Sequence, residues 1–318
     1  MDAIDRELAR YPGSPIIRDV LGTVDPDEIR ARVRGFEPDL EEIFWFSASV
    51  GALFGVRRRD GTRLALKVHT LFREEAYFDD VQRLQAALAE LGFPAPCPLG
   101  RTGLVTREQW LDAGGFRDAH EPPVRRVLAA ALVKFHELAT ATGIRPRRPF
   151  LRPVNAIWPK PHNVLFDFQA TARGAGWIDE IGAAALAVSS EPVGREVVGH
   201  ADWGAKHVRF DELLRPTAVY DWDSVTVDRE PLMAGSAAGG FTYTEELPYE
   251  IAIWPSIAES VAFLDDYEAA RAEPFTAEER KAAEAACVYL RAYAARCTHA
   301  VGKDASETGL AELADAML

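Results

Sequence analysis

His200-Ala201-Asp202, then His207, then Tyr220-Asp221-Trp222-Asp223 are the residues of this chain whose types and spacing could do chemistry. Residues 196–199 read as extended chain ahead of the first group. Residues 208–210 and 217–220 read as the two arms of a short hairpin between His207 and the second acidic group. The pattern puts a carboxylate on a turn, a second polar ligand five residues later, and another carboxylate where the hairpin ends. Phosphoryl transfer needs such a set: one aspartate orients or deprotonates an acceptor hydroxyl, and the other groups hold Mg²⁺ on nucleotide phosphates. A lone HxD would be read as a loop with capping acids. The downstream Asp-Trp-Asp and a lysine-bearing strand far upstream raise this one above that reading.

The elements that must position these residues follow from local patterns. Asp25-Pro26 supplies a helix cap and an N1 proline, and Ile29, Val33 and Phe36 keep helical spacing, which predicts a helix over about residues 25–43. Residues 44–56 are apolar around a run of small and hydroxyl residues that includes Ser49. Asp60-Gly61 then marks a hairpin turn, and Arg63-Leu64-Ala65-Leu66-Lys67-Val68-His69 returns as a strand. A helix over about 72–91 ends at Gly92 and a proline-rich stretch. A strand near 103–108 leads to Gly114-Gly115. Val124, Leu128, Leu132 and Phe135 mark an amphipathic helix ending near His136. Residues 141–195 are rich in Pro, Gly and Arg, and residues 282–301 form the clearest of the late helices. A mixed N-terminal part thus precedes a helical part that carries the aspartate loops.

With 318 residues and 48% hydrophobic content, the chain can bury a large core in two lobes or domains. No apolar run is long enough to span a bilayer, and the N-terminus carries acids where a secretory signal would be apolar. Cys97, Cys287 and Cys297 have no paired spacing and read as free thiols, which together with the missing signal points to the cytoplasm. A net charge of −13 argues against nucleic acid as a partner. From Glu230 to Glu268 there are eight acids and no Lys, Arg or His. That segment is either a solvated surface or a rim that attracts a cationic small molecule, with Glu245, Glu246, Asp265 and Asp266 as its candidates.

In this order the parts resemble the aminoglycoside phosphotransferase and choline kinase family, small-molecule kinases of protein-kinase-like fold. The resemblance runs over roughly Phe44 to Ala300. The strand of Lys67 resembles the nucleotide-binding lysine strand. Residues 107–111, including Glu108, with Gly114-Gly115 resemble the interlobe hinge. Val133-Lys134-Phe135-His136 resembles the end of a family helix, His200-Ala201-Asp202 the catalytic loop, and Asp221-Trp222-Asp223 the metal-binding segment.

The resemblance implies an α+β, two-lobed fold, with an antiparallel-sheet lobe over 1–108 and a mainly helical lobe over 109–318. The nucleotide is expected in the cleft between them. It further implies an ATP-dependent O-phosphotransferase acting on a small hydroxylated, even cationic, acceptor. Asp202 would be the catalytic base and Asp221 a metal ligand. Lys67, Ser49 and Glu108 would bind the nucleotide. An acid on the following helix would point the lysine at the phosphates. Glu74, Glu75, Asp79 and Asp80 are open to that role, with Glu75 preferred.

The family has Asn where this chain has His207. An imidazole can ligate a divalent ion, although Mg²⁺ prefers oxygen, so Mn²⁺ stands beside Mg²⁺ as the expected metal. The same change opens an alternative, a catalytically impaired nucleotide-binding module of the same fold. A protein kinase acting on a macromolecule is disfavoured because the D-F-G and A-P-E landmarks are missing.

Overall fold

The computed structural model describes residues 2–70, 74–147, 156–248 and 250–318. Three helices come first: α1 (Ala3–Arg10), α2 (Pro15–Leu21) and α3 (Pro26–Phe36). Asp25 accepts from the backbone N–H groups of Asp27 and Glu28, so the predicted cap forms. The helix stops well short of residue 43. Pro38 disfavours helical backbone at Glu37, and the chain turns straight into a strand.

The sheet consists of β1 (Leu40–Ala48), β2 (Ala52–Arg58), β3 (Arg63–Val68), β4 (Pro98–Thr102) and β5 (Val105–Gln109), with α4 (Glu75–Glu90) between β3 and β4. The strand order is β1-β2-β3-β5-β4, antiparallel throughout. Ile4, Ile17, Ile29 and Val33 of the first three helices pack with Phe46, Phe54, Val56, Leu64, Leu66 and Val105 of the sheet. Alternation along β3 sends Leu64 and Leu66 into that core, which leaves Lys67 on the opposite face. The start expected for α4 at residue 72 lies outside the described residues.

The remaining elements are α5 (Pro122–Ala141), α6 (Gly176–Ser189), β6 (Glu196–His200), β7 (Val208–Phe210), β8 (Pro216–Val219), β9 (Val225–Arg229), α7 (Glu230–Gly240), α8 (Ile257–Ala270), α9 (Ala277–Ala300) and α10 (Leu310–Met317). α5 runs a turn beyond His136. α6 lies inside the stretch that sequence had left without a helix. Helix α7 packs on α9 backbone to backbone: a Cβ on Gly235 would sit 1.9 Å from the carbonyl oxygen of Ala283. Among the described residues no helix is long and apolar enough to cross a membrane.

The chain divides into two units. One is Met1–Ala86, Pro96–Asp112 and Pro161–Phe166; the other is Ala87–Ala95, Ala113–Lys160 and Asp167–Leu318. The chain therefore passes between units several times, where sequence suggested a single boundary at 108/109.

Candidate active site

Two small antiparallel ribbons in the helical unit build the site. β6 pairs with β9 in the register His200↔Val225, so the turn leaving β6 and the turn entering β9 lie at one end of the ribbon. The N–H of Ala201 donates to Ser224 O at 2.9 Å and ties the two turns together. β7 pairs with β8, and beyond that pair the N–H of Tyr220 donates to His207 O at 2.9 Å. The hairpin thus returns Asp221 beside His207, and the ribbon returns it beside Asp202. Gly114-Gly115 brace the hairpin: Gly115 and Phe210 exchange N–H···O bonds of 2.8 and 2.9 Å.

Local chemistry fixes each turn. His200 is buried, and burial pushes its imidazole down to about 4, so it is neutral at working pH. Its Nε2–H donates to Tyr220 O at 2.9 Å, which leaves Nδ1 to accept the N–H of Asp202 at 3.3 Å. Asp221 sits in the left-handed region, φ 62° and ψ 49°, at a cost of about 1 kcal/mol for a non-glycine residue. Two bonds hold it there. Ser224 Oγ donates to Asp221 Oδ2 at 2.8 Å, and Trp222 Nε1 donates to Val219 O at 2.8 Å. Trp203, immediately after Asp202, is core: it is buried and donates to Leu128 O.

The structure brings Asp202, His207 and Asp221 together. One ligand atom from each lies within 4.8 Å of the others. His207 Nε2 is 3.0 Å from Asp202 Oδ2 and 3.8 Å from Asp221 Oδ2, and Lys206 Nζ is 2.8 Å from Asp202 Oδ2. Burial alone would raise the Asp202 carboxyl, but Lys206 and His207 hold it well below the usual carboxylate range. It is therefore ionised at any working pH. Two carboxylates and an imidazole are a competent donor set for a divalent ion, and the nitrogen suits Mn²⁺ better than Mg²⁺. The same Nε2 cannot serve both roles at once: with its proton it donates to Asp202, and without it it can ligate a metal.

Lys67, Ser49, Glu75 and Glu108 all lie in the sheet unit. Lys67 is on β3 in register with Leu53 and Thr106. Ser49 lies in the β1–β2 turn, where its N–H donates to Gly51 O and its carbonyl accepts from Asn163 Nδ2 at 3.3 Å. Glu108 accepts from Gln85 Nε2 of α4 at 2.6 Å. The Glu75 carboxylate is 2.6 Å from Arg101 Nη1, and Asp79 binds the same guanidinium. Glu75 is thus engaged by an arginine of β4 that sequence had not offered as its partner.

The acid-rich segment also differs from expectation. Glu246 pairs with Arg209, Asp265 with Arg280 and Asp266 with Arg125, each at 2.8 Å. The segment lacks cations only along the chain; the fold supplies them from other elements. Sequence reasoning missed Ser224 as the group that holds Asp221, although its D-x-x-S spacing in a tight turn was readable. Sequence spacing puts Lys206 close enough to Asp202 to reach a transferring phosphate, with an exposed lysine as the default, and it carries no signal for Tyr243, whose ring centroid lies 5.2 Å from Lys206 Nζ.

No protein-family model and no curated protein matches the chain. Solved structures do. Amicoumacin kinase hAmiN, in complex with AMP-PNP, Ca²⁺ and Ami, superposes with a TM-score of 0.66 at 11% identity, covering 92% of this chain and 93% of that one. Choline kinase LicA from Streptococcus pneumoniae superposes with a TM-score of 0.59 at 11% identity, over 91% and 98%. An aminoglycoside-3'-phosphotransferase of type VIII gives 0.50 at 19% identity, over 83% and 98%. At these identities the likeness speaks for the fold. The chain has the two-lobed α+β fold shared by aminoglycoside phosphotransferases and choline kinases, as the sequence resemblance implied.

Proposed function

We propose that the protein is an ATP-dependent O-phosphotransferase that moves the γ-phosphoryl group to a hydroxyl of a small molecule. The observation that carries this reading is the convergence of Asp202, His207 and Asp221 at one end of the β6–β9 ribbon. Support comes from the fold, and from a structural neighbour that holds AMP-PNP and Ca²⁺.

In this reading Asp202 accepts the proton of the acceptor hydroxyl, or orients it, as the oxygen attacks the γ-phosphorus. Lys67 holds the α- and β-phosphates, with Ser49 and Glu108 as further nucleotide contacts. Asp221 and His207 are the residues that would hold a divalent ion. When bound, that ion neutralises charge on the β- and γ-phosphates. The transfer is in line, so positioning and charge neutralisation supply most of the rate. The acceptor is a small hydroxylated molecule, cationic or neutral; the arginines paired with Glu246, Asp265 and Asp266 weaken the field those three acids would offer a cation. The three cysteines are free thiols, as suits the cytoplasm that we propose as the compartment.

The experiment is a screen for ADP release and phosphotransfer with Mg²⁺ and with Mn²⁺ over small hydroxylated metabolites. Metal-dependent transfer to one of them is expected. One observation favours a second reading. His207 donates to Asp202 with the nitrogen a metal would need, as it would in an impaired nucleotide-binding module. Metal-independent ATP binding with no transfer to any acceptor would establish that reading and overturn the first.

A further inference from the structure

We propose that Lys206 is a catalytic residue of this reaction, a fixed cation that contacts the phosphoryl group in flight beside Asp202. The proposal rests on the phosphotransferase reading above and adds to it a residue for which neither the HxD pattern nor the metal-ligand set has a role.

The loop holds Lys206 rigidly. Gly204 is fully extended and lies so close to the end of α7 that a Cβ there would meet Phe241 O at 3.1 Å. The N–H of Ala205 donates to Phe241 O at 2.8 Å, and the N–H of His207 closes back on Gly204 O at 3.1 Å. Lys206 is therefore the middle residue of a tight turn anchored on both sides. Lysines with an open path to water usually carry the ammonium out into it. This one folds back, with Nζ 2.8 Å from Asp202 Oδ2 and 5.2 Å from the centre of the Tyr243 ring, and its side chain keeps 30% of its accessible surface.

Lys206 is not the only partner of that carboxylate, since His207 Nε2 lies 3.0 Å from the same oxygen; when His207 turns to a metal, Lys206 is the cation that stays on Asp202. An ammonium has three donors. Asp202 takes one and the ring covers one side, which leaves a donor for an incoming oxygen. Asp202 must come within about 3 Å of the acceptor hydroxyl. The hydroxyl oxygen must in turn lie about 3–3.5 Å from the phosphorus it attacks. The transferring phosphoryl oxygens therefore pass within reach of a cation held on that same carboxylate.

In the step itself the acceptor O–H gives its proton to Asp202 and its oxygen bonds to the γ-phosphorus. The bond from that phosphorus to the β,γ-bridging oxygen breaks, and ADP leaves. Lys206 keeps its own proton throughout and contributes charge where the three phosphoryl oxygens become most exposed.

The test uses the full-length protein with ATP, Mg²⁺ or Mn²⁺, and water as the acceptor, so that no substrate need be known. ADP release is measured for the wild type and for Lys206→Ala, Lys206→Met and Lys206→Arg. Calorimetry gives the affinities for AMP-PNP and for ADP–aluminium fluoride, which mimics the phosphoryl group in transfer. Methionine keeps the apolar stem over Tyr243, so it serves where alanine fails to fold, and unliganded thermal midpoints check folding. Removing one charge-stabilising donor should slow ADP release about 100-fold or more. Affinity for ADP–aluminium fluoride should fall by a similar factor while that for AMP-PNP moves less than about threefold. Arginine should retain more activity than methionine. Wild-type release rates in a folded Lys206→Met variant would overturn the proposal, as would equal losses of affinity for the two ligands. An active wild type with unaffected variants removes only Lys206. A wild type that neither binds nucleotide nor releases ADP removes the phosphotransferase reading along with it.

Discussion

Asp202 and Asp221 keep their carboxylates partly open to solvent, with 46% and 25% of their side-chain surface accessible, and within reach of a common ion. The acids of residues 230–268 meet a different fate. Glu246, Asp265 and Asp266 pair with arginines from other elements, Glu268 shares Arg280, and the Glu259 carboxylate accepts the Ser256 N–H in the capping box of α8 while binding His120. Glu230 is fully buried between Arg195, Arg271 and the hydroxyl of Tyr267. The more acidic stretch of sequence is thus the one whose charge the fold cancels, largely with planar guanidinium groups that bind carboxylates tightly. The site is instead where backbone turns hold two carboxylates together beside a lysine and a histidine.

The contrast can be broken or sharpened by substitution. Glu230→Gln should have the largest effect on stability, because it removes a fully buried carboxylate and leaves Arg271, whose side chain keeps only 10% of its accessible surface, without its counter-charge. A loss of about 3 kcal/mol is expected in denaturant unfolding. A loss under about 1 kcal/mol would mean the network is dispensable. Burial would raise the Glu230 carboxyl, but Arg195, Tyr267 and Arg271 outweigh it and lower the folded value. The stability this group contributes is therefore complete above its unfolded pKa and drains as pH falls through the lower folded one. The Gln variant should lose that part of the acid dependence.

His207→Asn should act on the site and hardly at all on stability. Mg²⁺-dependent ADP release should be preserved or rise, and calorimetric Mn²⁺ affinity should fall, because an oxygen replaces the nitrogen donor. An unchanged metal preference would remove His207 from the ligand set. Asp265→Asn should do least. Its carboxylate is largely exposed, so unfolding should shift by no more than about 1 kcal/mol and ADP release should stay at the wild-type rate. A marked loss of turnover would return the acid segment to the acceptor site.

What the sequence could reveal depended on how local each signal was. The Asp60-Gly61 turn and the alternation around Lys67 specify the β2–β3 hairpin from adjacent residues, and the structure follows them. The overrun of α3 came from weighing periodicity above Pro38. Helix α6 escaped because it is small and apolar on most faces: Gly182 sits against Trp158, whose ring leaves no room for a Cβ. The acids of the site were readable because turn and hairpin bring residues 202, 207 and 221 together over a short stretch. Tyr243, and the arginines that quench the acid segment, join their partners through tertiary packing, and no local pattern announces them.

Asp202→Asn tests the central claim most directly, by ADP release and calorimetric AMP-PNP binding on the same preparation. The account predicts that turnover is lost while nucleotide affinity is largely kept, since Asp202 acts on the acceptor hydroxyl and Lys67 and Asp221 on the nucleotide. Near-native turnover in this variant would contradict it.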